Sequence, residues 1–425
     1  MKKMLCLMIV GIMFILPFGV KSFAGEVDLL VDKLVEKDVL TPVEAQILLD
    51  ETKTNVAKEI AQGKSGTLPA WIQTMTFKGD LRLRYQNEEQ DTITSSSTTT
   101  AKRERARARF RLGAEAKVIK DWKVNFGLAS GGADPRSTNQ TFQDNFTSKG
   151  IMLDYAYATY AFNNNVDIMG GKIELGKTLW LVSDLLWDGD VNPEGVFVKS
   201  NLPLNSSAEV FLNTGYFILD EMSSGADPSM YMIQPGIKWD FSDAVTLTTS
   251  VNYYAFNSIE GSRYSNIVDG GGTNTTSTTP ASFKYDYDSL GFTAALGMNL
   301  QEDAEVDEII NYVSLFGDYT KNGDPDENNV GYLAGIKFGD KKVSEPKTWE
   351  AKVLYRTLEK DAWVDFLPDS DVIGGITDVS GYEFIVNYAL AKNVILGFDY
   401  YKSETDIAAS KKKQDLFQVD VLLKF

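Results

Sequence analysis

From residue 74 to the end of the chain, apolar and polar residues alternate one for one, and this pattern constrains the fold more than any other feature. A period of two is the period of a strand, with successive side chains on opposite faces. Met75, Phe77, Gly79, Leu81, Leu83 and Tyr85 share one face; Thr76, Lys78, Asp80, Arg82 and Arg84 share the other. A second run sets Ala106, Ala108, Phe110, Leu112, Ala114, Ala116 and Val118 against Arg105, Arg107, Arg109, Arg111, Glu115 and Lys117. The pattern predicts 16 strands, starting near residues 74, 102, 122, 150, 166, 195, 207, 231, 245, 285, 308, 330, 348, 380, 394 and 413.

The connections alternate in length. Lys120-Asp121, 163–165, 203–205, Ser242-Asp243 and 391–393 are short, whereas 87–101, 131–149, 220–229, 257–283, 321–329 and 360–379 are long and polar. Short turns at one end and long loops at the other mark an outer-membrane barrel. No apolar run beyond the first 24 residues reaches the roughly 20 that a membrane helix requires. A membrane protein of this sequence must therefore cross as a closed barrel. A soluble β-sandwich or β-helix fits less well, because the apolar face is small or aromatic rather than aliphatic. Trp122, Trp239 and Trp349 carry the apolar parity beside short turns, as an interfacial girdle requires. The expected class is all-β: a 16-stranded antiparallel transmembrane β-barrel over residues 71–425, with both barrel ends on the short-turn, periplasmic side.

Residues 1–24 read as an export signal. Met1-Lys2-Lys3 is basic, Leu5–Val20 is apolar, and Ser22-Phe23-Ala24 offers small residues for cleavage after Ala24. Pro17 and the cleavage site argue against a membrane anchor, and Cys6 lies within the apolar core, where lipidation does not occur. Residues 25–70 read as a periplasmic helical segment and linker. Thr41-Pro42-Val43-Glu44 is a capping box, and 63–69 breaks the helical pattern.

Composition removes whole classes of chemistry. The chain has 425 residues, 42 basic and 59 acidic, and no histidine. Cleavage removes Lys2, Lys3, Lys21 and Cys6, leaving 39 basic against 59 acidic residues, a net of −20, and no cysteine. Histidine-dependent triads, His-ligated zinc and disulfides are excluded. No G-x-S-x-G elbow is present. The acidic balance argues against nucleic acid. The expectation is no enzyme, no metal and no cofactor.

At the N-terminus, LVEKDVLTPVEAQILLDE followed by WIQTMTFKGDLRLRYQNEE resembles the putative-porin family of Gram-negative bacteria, most specifically over Lys78–Tyr85. The resemblance implies an outer-membrane channel for passive diffusion of small hydrophilic solutes or ions. It further implies a homotrimer, with outer-membrane lipids and lipopolysaccharide as surroundings. The strand ending Val421-Leu-Leu423-Lys-Phe425 looks like the signal read by the barrel-assembly machinery.

Arg82, Arg84, Arg105, Arg107, Arg109 and Arg111 share lumen parity on adjacent strands. Facing lipid, each would cost about 2–4 kcal/mol near the midplane, so they point inward as a basic wall. The 177–194 connection is too apolar for an exposed loop, with Trp180, Leu181, Leu185, Leu186 and Trp187. By resemblance to general porins this third loop folds into the barrel as a constriction. Asp184, Asp188, Asp190 and Glu194 could then face the arginines. A subunit contact is the other place for it. The N-terminal helices are open to three readings: a coiled coil, a lumenal plug or a solvated appendage. Asp361, Asp365, Asp369, Asp371 and Asp378 read as a solvated acidic loop. A plugged or adhesive barrel without conduction remains the competing function.

Overall fold

The computed structural model describes residues 31, 33–37, 40–61, 70–262, 272–277, 282–300, 309–406 and 410–425. The export signal over 1–24 and the whole 63–69 linker lie outside the described residues. The chain divides at residue 73/74 into two units.

In the first unit, helix α1 spans Pro42–Ala61. It starts where the capping box predicts. Glu44 Oε2 accepts from the Thr41 N–H at 2.9 Å, and the Glu44 N–H donates to Thr41 Oγ1 at 3.3 Å. Two of the N-terminal groups that a helix leaves unpaired are satisfied in this way. A short turn, α2, covers Ala70–Gln73. Among the described residues, no helix is long and apolar enough to cross a membrane.

The second unit is one antiparallel sheet closed on itself. Its strands are β1 Thr76–Ile93, β2 Thr98–Ile119, β3 Trp122–Ser130, β4 Gln140–Thr141, β5 Ile151–Asn163, β6 Val166–Lys172, β7 Glu194–Pro203, β8 Ala208–Ile218 and β9 Ser229–Asp240. They continue as β10 Val245–Asn257, β11 Ser289–Asn299, β12 Tyr312–Asn322, β13 Val330–Gly339, β14 Trp349–Leu358, β15 Val379–Ala391, β16 Val394–Thr405 and β17 Lys411–Lys424. Sixteen of these form the wall; β4 is a two-residue strand that a loop lays beside β2. Each wall strand pairs with its sequence neighbour, and β1 pairs with β17 from Asp80↔Lys424 to Ile93↔Lys411. That last ladder closes the barrel and removes both edges.

Observed strand starts lie within four residues of the predicted ones. The exception in extent is the first hairpin. The 87–101 stretch is not a loop but strand, with β1 and β2 paired out to Ile93↔Thr98 around a turn at 94–97. Its alternation of polar residues, such as Glu88, Glu89 and Asp91 against Arg103 and Thr100, is polar on both faces, so hydrophobic periodicity alone misses it.

Polarity is inverted relative to a soluble protein. Outward residues such as Leu83, Tyr253, Phe292 and Phe384 are exposed, each more than 40%. Inward Arg84, Arg109, Gln234, Arg356 and Gln418 are buried. An exposed apolar band with a polar interior is the barrel arrangement for lipid. At the short-turn end, Trp122 stacks on Tyr160 and Trp239 on Phe241, each pair 4.8 Å between centroids.

Glycine is required where the C-terminal ring seats. Gly79 N–H donates to Phe425 O at 2.8 Å, and Phe425 N–H returns to Gly79 O at 3.0 Å. A Cβ on Gly79 would lie 2.5 Å from the Phe425 ring. The ring stacks beyond it on Phe110, 6.4 Å between centroids.

We number the long connections L1 (94–97), L2 (131–150), L3 (173–193), L4 (219–228), L5 (258–288), L6 (323–329), L7 (359–378) and L8 (406–410). The four longest are L2, L3, L5 and L7, and hydrogen bonds link L2 to L3, L3 to L7 and L5 to L7.

Candidate functional site in the barrel lumen

The register of β1 on β2 sets Asp80 opposite Arg111, Arg82 opposite Arg109, Arg84 opposite Arg107 and Gln86 opposite Arg105. Directly opposed residues face the same side of a sheet, so the six arginines form one patch. Their partners are carboxylates of the wall itself as well as of loops. Asp80 lies 2.9 Å from Arg109 and 2.8 Å from Arg111. Asp420 on β17 takes a two-pronged contact from Arg84, both bonds 2.8 Å. Glu88 pairs with Arg105 at 3.0 Å. Sequence reasoning put Asp80 on the face of Arg82 and Arg84 without pairing it, and it missed Glu88 and Asp420, which carry the same inward parity.

L3 turns inward, and its side chains touch successive parts of the wall. The Trp180 N–H donates to Gln234 Oε1 on β9 at 2.9 Å. Gln234 begins a ladder through Asn252 on β10 and Thr293 on β11 to Asp318 on β12, which Ser183 also meets. Asp184 pairs with Arg356 on β14 at 2.9 Å. Asp190 reaches the arginine wall, 3.4 Å from Arg111 and 3.9 Å from Arg109. It also accepts from the Thr138 N–H of L2 at 3.1 Å.

The expectation of four L3 acids facing six arginines is thereby corrected. Asp190 alone of the four meets the wall. Asp184 lies on Arg356, which sequence reasoning did not single out. Asp188 meets L7, accepting from Ser370 N–H at 2.8 Å. Glu194 is the first residue of β7 and pairs with Lys172 of the adjacent strand at 2.9 Å. Asp184 and Asp188 are displaced because a loop crossing a barrel meets many strands and sequence spacing does not say which, whereas Glu194 already belongs to the wall.

L7 differs most from expectation. Asp361, Asp365, Asp369 and Asp378 are buried, and Asp371 lies 3.1 Å from Arg84. The apolar residues between them fold inward. Trp363 is fully buried, packs on Tyr254 at 4.8 Å and donates from Nε1 to Leu186 O of L3 at 2.8 Å. Leu367 O accepts from the Asp188 N–H at 2.7 Å. The acids are capped by backbone: Asp365 accepts from Thr273 N–H at 2.7 Å and Asn274 N–H at 3.1 Å of L5, and Asp361 accepts from Thr275 N–H at 2.7 Å. These bonds offset much of the cost of burying the two carboxylates, although Asp365 Oδ1 is buried without a partner among the described residues. Inward residues of the wall, Phe197, Phe217, Met230, Tyr254 and Leu333 among them, join Leu185, Trp187, Trp363, Phe366 and Ile376 in one apolar core. That core lies inside the barrel.

Charge follows this packing. Burial pushes Asp188 up to about 7, with Asp190 adding to the rise and the N–H groups of Asp190 and Ser370 opposing it. Burial and the neighbouring Asp184 push Asp369 well above the carboxylate range, against the pull of Arg356. Burial acts on Asp190 too, but Arg109 and Arg111 outweigh it and hold that carboxyl low. A released Asp188 titrates near about 4. Between pH 4 and 7 the docked seam therefore holds a proton that the released one lacks, so docking weakens as pH rises through that window. Trp187 and Trp363 sit in the seam. Their fluorescence should shift to the red between pH 5 and 8, and proteolysis in L7 should quicken. Asp188→Asn should flatten both responses. A seam that loosens on acidification instead would contradict the assignment.

The family described as Putative porin matches residues 87–317 and 283–425. The chain belongs to this family. No curated protein sequence matches it. Among solved structures, a triple mutant of the Rhodopseudomonas blastica porin aligns over 83% of this chain and 100% of its own, at 9% identity and TM-score 0.43. The outer membrane channel DcaP of Acinetobacter baumannii aligns over 83% and 97%, at 13% identity and TM-score 0.46. OprB of Pseudomonas putida aligns over 83% and 95%, at 12% identity and TM-score 0.50, a likeness of fold. The barrel is thus an outer-membrane porin, and its exposed apolar band is the surface turned to lipid.

Proposed function

We propose that this porin is a passive diffusion channel for small hydrophilic solutes or ions, that passage follows the arginine wall of β1 and β2, and that L3 is its inward-folded constriction. It does no enzymatic chemistry. The observation that carries this reading is the approach of Asp190 to Arg109 and Arg111 beside a cavity of about 560 Å³, lined in part by Lys78, Asp80, Arg111, Glu174 and Asp190. L7 shares the role with Asp371 against Arg84. Opposed charges across a narrow wet passage order water, which favours dipolar solutes over apolar ones.

Several other elements take roles by the same reading. Residues 1–24 are the export signal, α1 belongs to a periplasmic appendage, and Phe425, Leu423 and Val421 are the assembly signal. The outer wall meets lipid and lipopolysaccharide. Strand β6 has only 7 residues, fewer than the ~9–11 that span the core. Irregular backbone does not face hydrocarbon, so other copies of the chain, in a homotrimer, cover this low side. A monomer on unheated gels would contradict that.

One observation favours a second reading. The apolar core inside the barrel is what a plugged barrel would have. Planar-bilayer recording of the detergent-folded protein under a KCl gradient separates the two. Steady ohmic openings establish the channel. Anion preference gives the arginine wall control, and Arg109→Glu should then reverse the sign. Cation preference gives control to Asp190 and Asp371. Silence from heat-modifiable, folded protein leaves the plugged barrel.

A further inference from the structure

The carboxylates along the arginine wall are unequally shared. Among the described residues, the six guanidinium groups stand beside five carboxylates, those of Asp80, Glu88, Asp190, Asp371 and Asp420. The shortfall falls on two residues. Among the described residues, Arg107 has no carboxylate within 4 Å; its terminal nitrogens donate to Gln86 Oε1 at 3.2 Å and Ser137 Oγ at 3.3 Å. Arg82 donates to Asn139 Oδ1 at 2.8 Å, and its carboxylate neighbour, Asp420, lies 3.8 Å away and is already gripped by Arg84. The Nε groups of Arg82, Arg105 and Arg107 are buried without an acceptor.

The two under-paired residues are neighbours. Arg82 opposes Arg109 and Arg84 opposes Arg107, so Arg82 and Arg107 are diagonal across one hairpin, roughly 7–8 Å between backbones. One loop segment covers both. Ser137 of L2 meets Arg107, Asn139 meets Arg82, and Thr138 between them is tied to Asp190. Both arginines thus hold neutral oxygens where a charged one would bond about twice as strongly. A guanidinium fork fits the planar oxygens of a carboxylate or the tetrahedral ones of a phosphate.

We propose that Arg82 and Arg107, with the Ser137–Asn139 segment of L2, form a binding site for one anionic oxygen group, a carboxylate or a phosphate, of a small solute. Ser137 Oγ and Asn139 Oδ1 give way to the anion, and their donor groups remain beside it. The site takes a single such group because the wall lacks a single negative charge. The permeating solute is then an organic acid or a phosphorylated compound. This use of the site rests on the channel reading; the binding itself does not.

Calorimetric titration of the detergent-folded full chain tests it, with acetate and inorganic phosphate as probes against chloride at constant ionic strength. Saturable binding of either probe, weakened about tenfold by Arg107→Gln and by Arg82→Gln, is the expected result. Acetate alone assigns carboxylates, and phosphate alone assigns phosphorylated solutes. Arg107→Lys keeps the charge but loses the fork, and it should bind between wild type and Arg107→Gln. That variant serves where Arg107→Gln loses its heat-modifiable fold. Unchanged affinity in folded variants, or no saturable binding by wild type, overturns the site. Arginine-dependent binding by a protein that does not conduct leaves the site standing and removes the channel reading. Conduction without saturable binding removes the site alone.

Discussion

Replacing Arg356 with methionine is expected to cost on the order of 3–5 kcal/mol and to detach L3 and L7 from β14. The guanidinium lies 2.9 Å from Asp184 and 3.3 Å from Asp369, and it also bonds Glu383. Arg356, Asp369 and Glu383 are buried. Removing one partner of a buried pair leaves charge without compensation, which is where such losses come from. Calorimetric melting of the detergent-folded barrel reads the stability, and single-channel recording reads the loops, with conductance expected to rise. Glu383→Gln in the same chain should restore part of the loss, because it removes one of the stranded charges; coupling between contacting residues is what a double-mutant cycle measures. Additive losses would mean that Glu383 does not act through Arg356.

The second large effect is expected from Trp363→Ala. Its ring contacts Tyr254 at 4.8 Å, Phe256 at 5.3 Å and Trp187 at 6.3 Å between centroids, joining L7 to the wall and to L3. Truncating a buried tryptophan costs about 3–5 kcal/mol, and less where surroundings collapse into the gap. Collapse is limited here, because Tyr254 and Phe256 stand on a strand fixed by its ladder. The lumenal core should loosen while the wall, held by strand pairing, stays closed. Larger and noisier single-channel currents with an unchanged far-ultraviolet spectrum are the signature. Currents equal to wild type would show that the core does not limit the passage.

These two residues also mark where sequence reading stopped. The wall was legible because lipid on one side and water on the other force a period of two, strand after strand. Parity placed all six arginines on one face together with Asp80, and it would have placed Glu88 and Asp420 there had acids been counted with bases. The lumen was not legible in the same way. Loops that pack inside a barrel have no fixed period, and their partners lie on strands far away in the chain. L3 was recognised by its leucines and tryptophans, yet only Asp190 of its acids meets the arginines. L7 carries the same signal in Ala362-Trp363-Val364 and Phe366-Leu367. Five aspartates in that loop suggested solvent, but buried aspartates capped by backbone N–H groups look identical in sequence to solvated ones. Arg356 shares the inward parity of its strand with Lys352, and no spacing rule connects it to Asp184.

The core inside the barrel is built from β5 at one extreme, through Tyr155, and β17 at the other, through Leu416, with L3, L5 and L7 between. No neighbouring pair of hairpins contains a local version of it. Contacts so distant along the chain form late. The ladder that closes the wall, from Asp80↔Lys424 to Ile93↔Lys411, joins segments more distant still. Closure and filling therefore both wait on the two ends of the barrel sequence, and a mutation confined to the interior is expected to slow folding without touching a strand.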